Sequence, residues 1–325
     1  EGGILRGKVD DGLVIVLLFL YMYGIGKAAL MPIHRWLPAA MVAPTPVSAL
    51  LHAVAVVKAG VFTVLKVIIY IFGADFLTET GASVWLMYIA GATVLLASLV
   101  ALTKDNLKAR LAYSTISQLA YIVLAGALAT SHSLVGGAMH IAMHAFGKIT
   151  LFFCAGAIMV ASHKTEISQM RGLGWKMPYT FAAFLIGSLS VIGLPPLGGS
   201  WSKWYIALGA VDAEQIIFVA VLMISSLLNI AYLIPVFARG FFGPREEEEA
   251  QMADDHGHGD ADHGDAPGDG SHGASHGGGA HAATRKRIQE APLFCLVPLW
   301  LTAIGCIALF VYADRLHAML APIVK

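Results

Sequence analysis

Seven of the basic residues inside strongly apolar stretches of this chain have types and a spacing that could do chemistry. They are Lys27, His52, Lys58, His140, His144, Lys148 and Lys203. A charged side chain at the centre of a membrane-spanning helix costs about 2.5–3.5 kcal/mol, so ionisable groups in such a place indicate a function. Lysine and histidine side chains can both bind and release protons. These residues therefore predict a path for proton transfer.

Three of the seven are spaced for one face of a helix. His140, His144 and Lys148 follow each other in steps of four, which places successive side chains about 40° apart around a helix axis. A histidine in a membrane can instead simply hydrogen-bond a neighbouring helix. Three titratable groups in register favour the ion path over that alternative. No Cys, Asp or Glu joins them on the helix, which argues against a metal site.

The composition indicates which elements must position these side chains. The 325 residues are 57% hydrophobic and 13% charged, with a mean hydropathy of +0.71, which is too apolar for a soluble domain. We therefore expect an all-α, multi-pass membrane protein. The formal net charge of zero at pH 7 gives no basic surface for nucleic acid. The three cysteines are isolated from one another, which argues against a disulfide framework and against zinc or iron–sulfur sites.

Eight apolar runs have about the 20 residues that a helix needs to cross a bilayer. They are residues 12–31, 47–72, 84–103, 107–129, 134–162, 179–210, 215–242 and 292–312. Lysines and arginines collect in alternate loops, such as those that contain Lys104 and Arg171. Because such loops face the cytoplasm, we expect an even number of spans, with both ends of this chain outside the cytoplasm.

Two of the spans, the first and the sixth, are predicted to be discontinuous. Their breaks are marked by Pro32, Pro38, Pro195 and Pro196. Irregular backbone at membrane depth needs cover from protein or from a water-filled cavity. Matching breaks in two halves of a chain are typical of inverted-repeat transporters. A lysine lies close to each break, Lys27 before the first and Lys203 after the second.

Acidic residues are missing from all eight predicted spans, so the lysines there have no partner of opposite charge on these helices. Either several lysines are uncharged, because burial disfavours the charged form, or carboxylates come from helices outside this chain. Lys66 is different from the others. Its long side chain can reach the membrane interface near Tyr70, and we interpret it as an interfacial residue.

The loop between Glu246 and Arg287 is a low-complexity segment rich in glycine, aspartate and histidine. Such a segment cannot bury a core, so we expect it to be disordered. Its histidines include His256, His258, His263, His272, His276 and His281. They could bind a divalent metal weakly. Their irregular spacing favours a solvated tether instead.

The sequence around the basic residues resembles the antiporter-like subunits shared by respiratory complex I, membrane-bound hydrogenases and Mrp-type cation/proton antiporters. The similar runs are GKAALMPIHRWLPAAMVAPTPVSALLHAVAVVKAG, DNLKARLAYSTISQLAYIVLA, HIAMHAFGKITLFFCAGAI with RGLG, and IGLPPLGGSWSKW. They cover nearly the whole chain apart from the loop after Arg245. Within that family the chain is most similar to the D-type Mrp subunits and to complex I subunits L, M and N.

The resemblance implies two inverted five-helix repeats, each with a broken helix. It also implies a row of Lys, His and Glu or Lys residues that passes protons at the membrane centre. In this chain the row would consist of Lys27 at the first broken helix, His52 and Lys58 on the next helix, His140, His144 and Lys148 on the connecting helix, and Lys203 at the end of the second half-channel. Several family members have a glutamate at the last position.

The family also has a glutamate on a helix that would precede the first one here. We therefore expect residues 1–325 to be a C-terminal fragment that lacks about six N-terminal helices. On this basis residues 1–73 end the first repeat and residues 84–242 form the second. Residues 243–290 form the disordered cytoplasmic loop, and residues 291–325 contain the last helix.

These features predict a multi-pass subunit of the cell (inner) membrane that translocates protons, with Na⁺ as a further candidate ion, in an Mrp-like antiporter. The alternative is a proton-pumping membrane-arm subunit of a complex I-like oxidoreductase or a membrane-bound hydrogenase. A third interpretation is a metal-ion transporter with the His-rich loop as its sensor, but the lack of acids in the spans weighs against it. The expected partners are other membrane subunits.

No cofactor and no redox catalysis by this chain are expected. The sequence has no GxGxxG motif after a strand and no cysteine cluster. The chain would count as a translocase only as a subunit of a complex I-like assembly.

Overall fold

The computed structural model describes residues 3–242 and 288–324, and of residues 51–53 the backbone only. Within these ranges the chain is helical, and no β-strand occurs. The helices are α1 (Asp11–Gly24), α2 (Val56–Phe72), α3 (Ala74–Thr80), α4 (Val84–Thr103), α5 (Leu107–Leu128), α6 (Ser131–Ser162), α7 (Pro178–Ile192), α8 (Gly199–Asp212), α9 (Ile216–Phe242), α10 (Leu293–Val311) and α11 (Ala313–Leu320).

Five of the described helices, α4, α5, α6, α9 and α10, are long and apolar enough to cross a membrane. A sixth span results if α2 and α3, which meet at an angle of 76°, are counted as one. The shorter apolar helices α1 and α7 belong to the two spans that the sequence predicts to be broken. The all-α, multi-pass class is confirmed, whereas the number of eight spans stays a prediction.

Helices α5 and α6 form the centre of the bundle. Helix α5 is buried along nearly its whole length, and α6 is the longest helix at 32 residues. Helix α6 packs against α5, α7, α8 and α10, while α4 packs along the other side of α5. A polar group on the inner face of α5 or α6 is therefore surrounded by other helices and not by lipid.

The two long central helices begin at residues that satisfy their first backbone N–H groups. The Asn106 side chain accepts a hydrogen bond from the backbone N–H of Ala109 at the start of α5. At the start of α6, Thr130 and Ser133 form a reciprocal capping box. Such caps remove unsatisfied donors at a helix start. They fix where α5 and α6 begin and therefore which side chains reach the bundle centre.

Both predicted helix breaks occur at irregular backbone. Helix α1 ends at Gly24, a short turn over Gly26–Ala28 follows, and the Met31–Pro32 peptide bond is cis. Helix α7 ends at Ile192, the Pro195–Pro196 bond is cis, and α8 begins at Gly199. Gly193 caps α7 with φ of +88°, a left-handed conformation that glycine adopts without steric cost.

The second span is less regular than the sequence indicates. Its backbone is π-helical over Ser48–Ala55 and again over Val67–Phe72. π-Helical turns are rare and occur often at functional sites. The first π-helical stretch contains His52, and the α-helical turns after it contain Lys58. The periodicity of apolar residues does not distinguish the two kinds of turn.

The loops collect into two sets at opposite ends of the helices. At one end, Lys108 donates a hydrogen bond to the carbonyl of Ala43, and Asn106 donates to Glu166. At the other end Arg6 pairs with Glu79, and His132 with Asp212. This grouping agrees with the alternation of charge along the sequence. Which end faces the cytoplasm stays a prediction.

Candidate functional site

The centre of the site is a contact between a lysine of α2 and a histidine of α6. Lys58 Nζ lies 2.9 Å from Nδ1 of His144. An ammonium group has only donors, so Lys58 in its charged form donates to His144, which then accepts on Nδ1. The second ring nitrogen of His144, Nε2, is buried and has no hydrogen-bond partner among the described residues.

His140 lies one turn before His144 on α6, and the two rings stack with centroids 5.6 Å apart. His140 Nε2 lies 3.1 Å from Oε1 of Gln118 on α5, and Nδ1 lies 2.8 Å from the Ser202 hydroxyl on α8. With the Gln118 oxygen accepting from Nε2–H, Nδ1 of a neutral His140 is the acceptor. Three helices therefore hold this imidazole in one orientation.

Lys203 lies beyond His140, next to the second helix break. Its ammonium group donates to the carbonyl of Ile192 at 2.9 Å and lies 3.5 Å from the Ser226 hydroxyl on α9. It also lies over the ring of Tyr121, 4.8 Å from the centroid. The other neighbour of the Tyr121 ring is His140, whose ring is 5.7 Å away. Tyr121 thus separates His140 from Lys203.

Lys148 is the third residue of the α6 stripe, and it faces a different network. Its ammonium group donates to the Ser114 hydroxyl at 2.6 Å and to the carbonyl of Leu111 at 3.2 Å. The hydroxyl of Tyr232 donates to the same Ser114 oxygen at 2.8 Å and also contacts the amide oxygen of Asn229. The lysine is therefore the start of a polar branch between α5 and α9.

The side chains of the row are buried. The residues Lys58, His140, His144, Lys148 and Lys203 are between 0% and 9% exposed. Two ion pairs of Asp or Glu, Arg6 with Glu79 and His132 with Asp212, lie at helix ends. Five basic groups thus share one interior, where like charges repel each other strongly. The site favours states in which only some of them are charged at once.

The remaining predicted site residues lie elsewhere. Lys27 lies in the short turn after α1, and its side chain is exposed, although its backbone packs closely on Gly60 of α2. The side chain of His52 lies outside the described residues. Lys66 is exposed and lies over the Phe62 ring at 5.7 Å, in a groove that also contains Tyr70. This placement agrees with its interpretation as an interfacial residue.

Metal binding by the long loop concerns residues outside the described ranges. The six histidines of that prediction, His256, His258, His263, His272, His276 and His281, all lie within residues 243–287. In the described part of the chain, no group of three or more His, Cys, Asp or Glu residues is arranged to hold a metal ion. Metal binding by the histidines of the loop therefore stays a prediction.

Sequence reasoning did not single out Tyr121, Tyr232 and Ser202 as site residues. Tyr121 follows Gln118 by three positions and Tyr232 follows Asn229 by three, so each tyrosine shares a helix face with a polar residue. That spacing is a signal that could have identified both tyrosines. Ser202 lies directly before Lys203, and only the approach of α8 to α6 indicates its contact with His140.

Comparison with protein families and curated proteins gives consistent matches. The family described as NADH:quinone oxidoreductase/Mrp antiporter, TM, matches residues 5–229. NADH-quinone oxidoreductase subunit N of Desulforudis audaxviator is 36% identical over 240 residues, which cover 73% of this chain and 48% of that protein. Subunit L of Rickettsia bellii is 37% identical over 237 residues, which cover 72% and 35%. The chain thus spans half or less of these relatives.

Solved structures share the fold. The Mrp complex from Dietzia sp. DQ12-45-1b contains a chain with a TM-score of 0.75 at 22% identity, covering 95% of this chain and 58% of that one. An archaeal membrane-bound sulfane sulfur reductase contains a chain with a TM-score of 0.75 at 26% identity, covering 99% and 58%. The helix arrangement described above is therefore the arrangement found in these membrane complexes.

Proposed function

The chain belongs to the NADH:quinone oxidoreductase/Mrp antiporter membrane family, and from this premise we propose that it forms part of a multi-pass subunit that translocates protons within a larger membrane assembly. The observation that carries the proposal is the buried succession of Lys58, His144, His140, Tyr121 and Lys203. Buried ionisable groups in a membrane helix bundle are costly, and they mark ion pathways.

The first step of the proposed path is proton exchange between Lys58 and His144. At 2.9 Å, the ammonium N–H of Lys58 already points its proton at Nδ1 of His144. Transfer along this hydrogen bond leaves a neutral lysine and a charged imidazole, so the positive charge moves from α2 to α6 while the total charge of the pair is unchanged. A donor and acceptor at this separation need no conformational change for transfer.

The second step takes the proton from His144 past His140 toward Lys203. The two stacked imidazoles share no direct hydrogen bond, and the buried Nε2 of His144 and Nδ2 of Asn229 have no hydrogen-bond partner among the residues that the structure describes. Buried polar atoms of this kind are sites where a water molecule can bind. We therefore propose that water molecules relay the proton between the rings and around Tyr121.

The branch from Lys148 supplies a second route within the same proposal. Ser114 connects Lys148 to the Tyr232 hydroxyl. The backbone carbonyl of Tyr232 accepts a hydrogen bond from Arg110 at 3.0 Å, and Arg110 also donates to the carbonyl of Lys104 in the loop before α5. The hydroxyls of Ser114 and Tyr232 can each take up and give up a proton, so the proposed branch extends from Lys148 as far as Tyr232 and Asn229. The guanidinium of Arg110 stays protonated, and its hydrogen bonds only hold α9 against the start of α5.

Two assemblies fit the proposed function. The first is an Mrp-like cation/proton antiporter, with Na⁺ as a further candidate ion, because a chain of an Mrp complex shares the fold. A complex I-like membrane arm is the second candidate, because the curated relatives in the comparison are subunits of NADH-quinone oxidoreductases. Purification of the native assembly would separate the two, since co-purifying dehydrogenase subunits would identify the second.

Lys27 and His52 are included in the proposed row only because their positions in the sequence match those of the row in the family. The exposed side chain of Lys27 would need a cover from another helix to act at membrane depth. We propose that other membrane subunits provide that cover. The partners in this proposal are therefore other membrane subunits, together with H⁺.

The test is transport by the complete assembly in vesicles that contain a pH-sensitive dye. His140→Gln and Lys203→Met should each abolish most of the pH change, because each removes a group that can hold a transferred proton. Native gel analysis of the same membranes must first show normal assembly. An unchanged pH gradient in an assembled Lys203→Met complex would reject the proposed path.

A further inference from the structure

A cavity of 620 Å³ lies between the second helix break, α8, α9 and α10. This volume is typical of ligand pockets. The lining is largely apolar and includes Trp204, Leu227 and Phe310. Trp204 is 59% exposed and Leu227 is 65% exposed. The cavity is therefore open at the outer surface of the described helices.

The inner wall of this cavity contains a basic group. Lys203 and Ser226 both line it, and the ammonium group of Lys203 lies 3.5 Å from the Ser226 hydroxyl. Gly193 lies beside the lysine, where a Cβ atom would come within 2.8 Å of Lys203 Cδ. The absence of a side chain at Gly193 therefore leaves the lysine stem room at the cavity wall.

Lys203 has no acidic partner among the described residues of this wall. Among the residues that line the cavity, none is acidic. Lys203 is itself 9% exposed, and two of its three donors go to Ile192 and Ser226. A desolvated ammonium group is stabilised by an anion that hydrogen-bonds to it. The neighbouring hydroxyl provides a second donor for the same anion.

We propose that this cavity binds a long-chain carboxylate, with its carboxylate on Lys203 and Ser226 and its acyl chain along the apolar wall. The largely apolar lining suits an acyl chain, and the polar groups of Lys203 and Ser226 suit its carboxylate. The proposal goes beyond proton transfer, since binding needs only the charge and position of Lys203. A bound carboxylate would nevertheless occupy the last group of the proposed proton path.

The test uses the complete assembly in phosphatidylcholine vesicles and a stearic acid with a photoactivatable diazirine on its chain. Irradiation followed by mass spectrometry should find the probe on lining residues such as Trp204, Met223 and Phe310. Lys203→Gln should lower this labelling about tenfold or more, as expected for the loss of a charge-assisted hydrogen bond. Excess stearate should compete, and its methyl ester should not.

Two further variants separate the role of the cavity from the folding of the protein. Ala207→Phe keeps Lys203 and fills part of the cavity, and it should also lower labelling. Lys66→Gln removes a lysine from an exposed groove on α2 and should leave labelling unchanged. Equal labelling of the wild type and Lys203→Gln would overturn the proposal. So would equal competition by the methyl ester or by phosphatidylglycerol, or the absence of adducts on the lining residues.

Discussion

Lys58 Nζ and His144 Nδ1 are 2.9 Å apart, although the two residues are separated by 86 positions in the chain. The contact joins α2, which follows the first helix break, to α6, the central helix that also contacts the second broken helix. The contact therefore links the region of the first break to the central helix, and it is where the proposed proton path crosses from α2 to α6.

Replacement of Lys58 by methionine should stop transport by the complete assembly. Methionine keeps an unbranched apolar stem of similar length but removes the proton donor to His144. Proton transfer by a positioned side chain contributes about 10²–10⁴-fold to a rate, so we expect a loss of at least about 10²-fold. Initial rates of pH change in vesicles would measure it.

Lys66→Met is the matched control for that variant. Lys66 lies two turns further along the same helix, but its side chain is exposed and lies over Phe62. We expect transport within about twofold of the wild type, because exposed charges contribute little. Equal losses in both variants would mean that the assay reports positive charge on α2 in general and not the contact with His144.

The Tyr232 hydroxyl tests the branch that begins at Lys148. Tyr232→Phe keeps the buried ring and removes only the hydroxyl that donates to Ser114. Loss of a buried hydrogen bond costs about 0.5–1.5 kcal/mol, so we expect a normal amount of assembled protein with a small decrease in melting temperature. If the branch carries protons, transport should decrease by about tenfold, more than this small loss of stability explains.

Tyr88→Phe provides the comparison, because the Tyr88 ring is exposed on α4 and contacts Phe218. That variant should match the wild type in both stability and transport. A Tyr232→Phe protein with wild-type transport would show that protons do not use the branch, and it would leave the contact between Lys58 and His144 unaffected.

Much of this arrangement follows from local sequence patterns. The four-residue spacing of His140, His144 and Lys148 indicates one helix face, and all three side chains lie buried on α6. The glycines and prolines between Gly193 and Gly199 indicate the second break, and α7 and α8 end and begin there. These features depend on residues close together in the chain, which is why the sequence alone is sufficient.

Contacts between distant elements could not be predicted in the same way. The stripe of α6 suggests a single line of groups. Lys148 nevertheless contacts Ser114 and Leu111, while His140 contacts Gln118 and Ser202. Which neighbour each side chain meets depends on the rotation of α5, α8 and α9 around α6. That rotation results from the packing of whole helix surfaces. It cannot be inferred from the residue type at a single position.

The start of the second broken helix depends on a carboxylate that comes from a distant part of the chain. One oxygen of Glu290 accepts hydrogen bonds from the backbone N–H groups of Tyr179 and Thr180, at 2.7 and 3.3 Å. Its other oxygen accepts from the Thr180 hydroxyl at 2.6 Å. Glu290→Ala should therefore lower the free energy of unfolding by about 0.5–2 kcal/mol, as for the loss of a helix cap. Thermal unfolding of the purified assembly would measure the change.

The control for Glu290 is Glu79→Ala. Glu79 pairs with Arg6 at 2.7 Å, but both side chains are largely exposed. An exposed ion pair contributes only about 0–1 kcal/mol, so this variant should unfold close to the wild-type temperature. A larger effect at Glu79 than at Glu290 would contradict the assignment of Glu290 as the cap of α7.

Gly60 is the position where α2 comes closest to the first helix break. A Cβ atom there would lie 2.5 Å from the carbonyl carbon of Lys27 and 2.6 Å from the backbone nitrogen of Ala28. Backbone atoms cannot rotate away as a side chain would, so Gly60→Ala must separate α2 from the break. Overpacking of this kind costs about 1–3 kcal/mol, and we expect a lower melting temperature and less assembled protein.

The same substitution at Gly24 separates the effect of crowding from that of losing a glycine. Gly24 ends α1, and a Cβ atom there would meet nothing within 4 Å. Gly24→Ala should therefore be as stable as the wild type. If Gly60→Ala keeps its stability but loses transport, the close packing of α2 on the Lys27 turn would position the proton path without stabilising the fold. If both properties stay at wild-type values, the backbone of α2 at Gly60 is not in close contact with the first helix break.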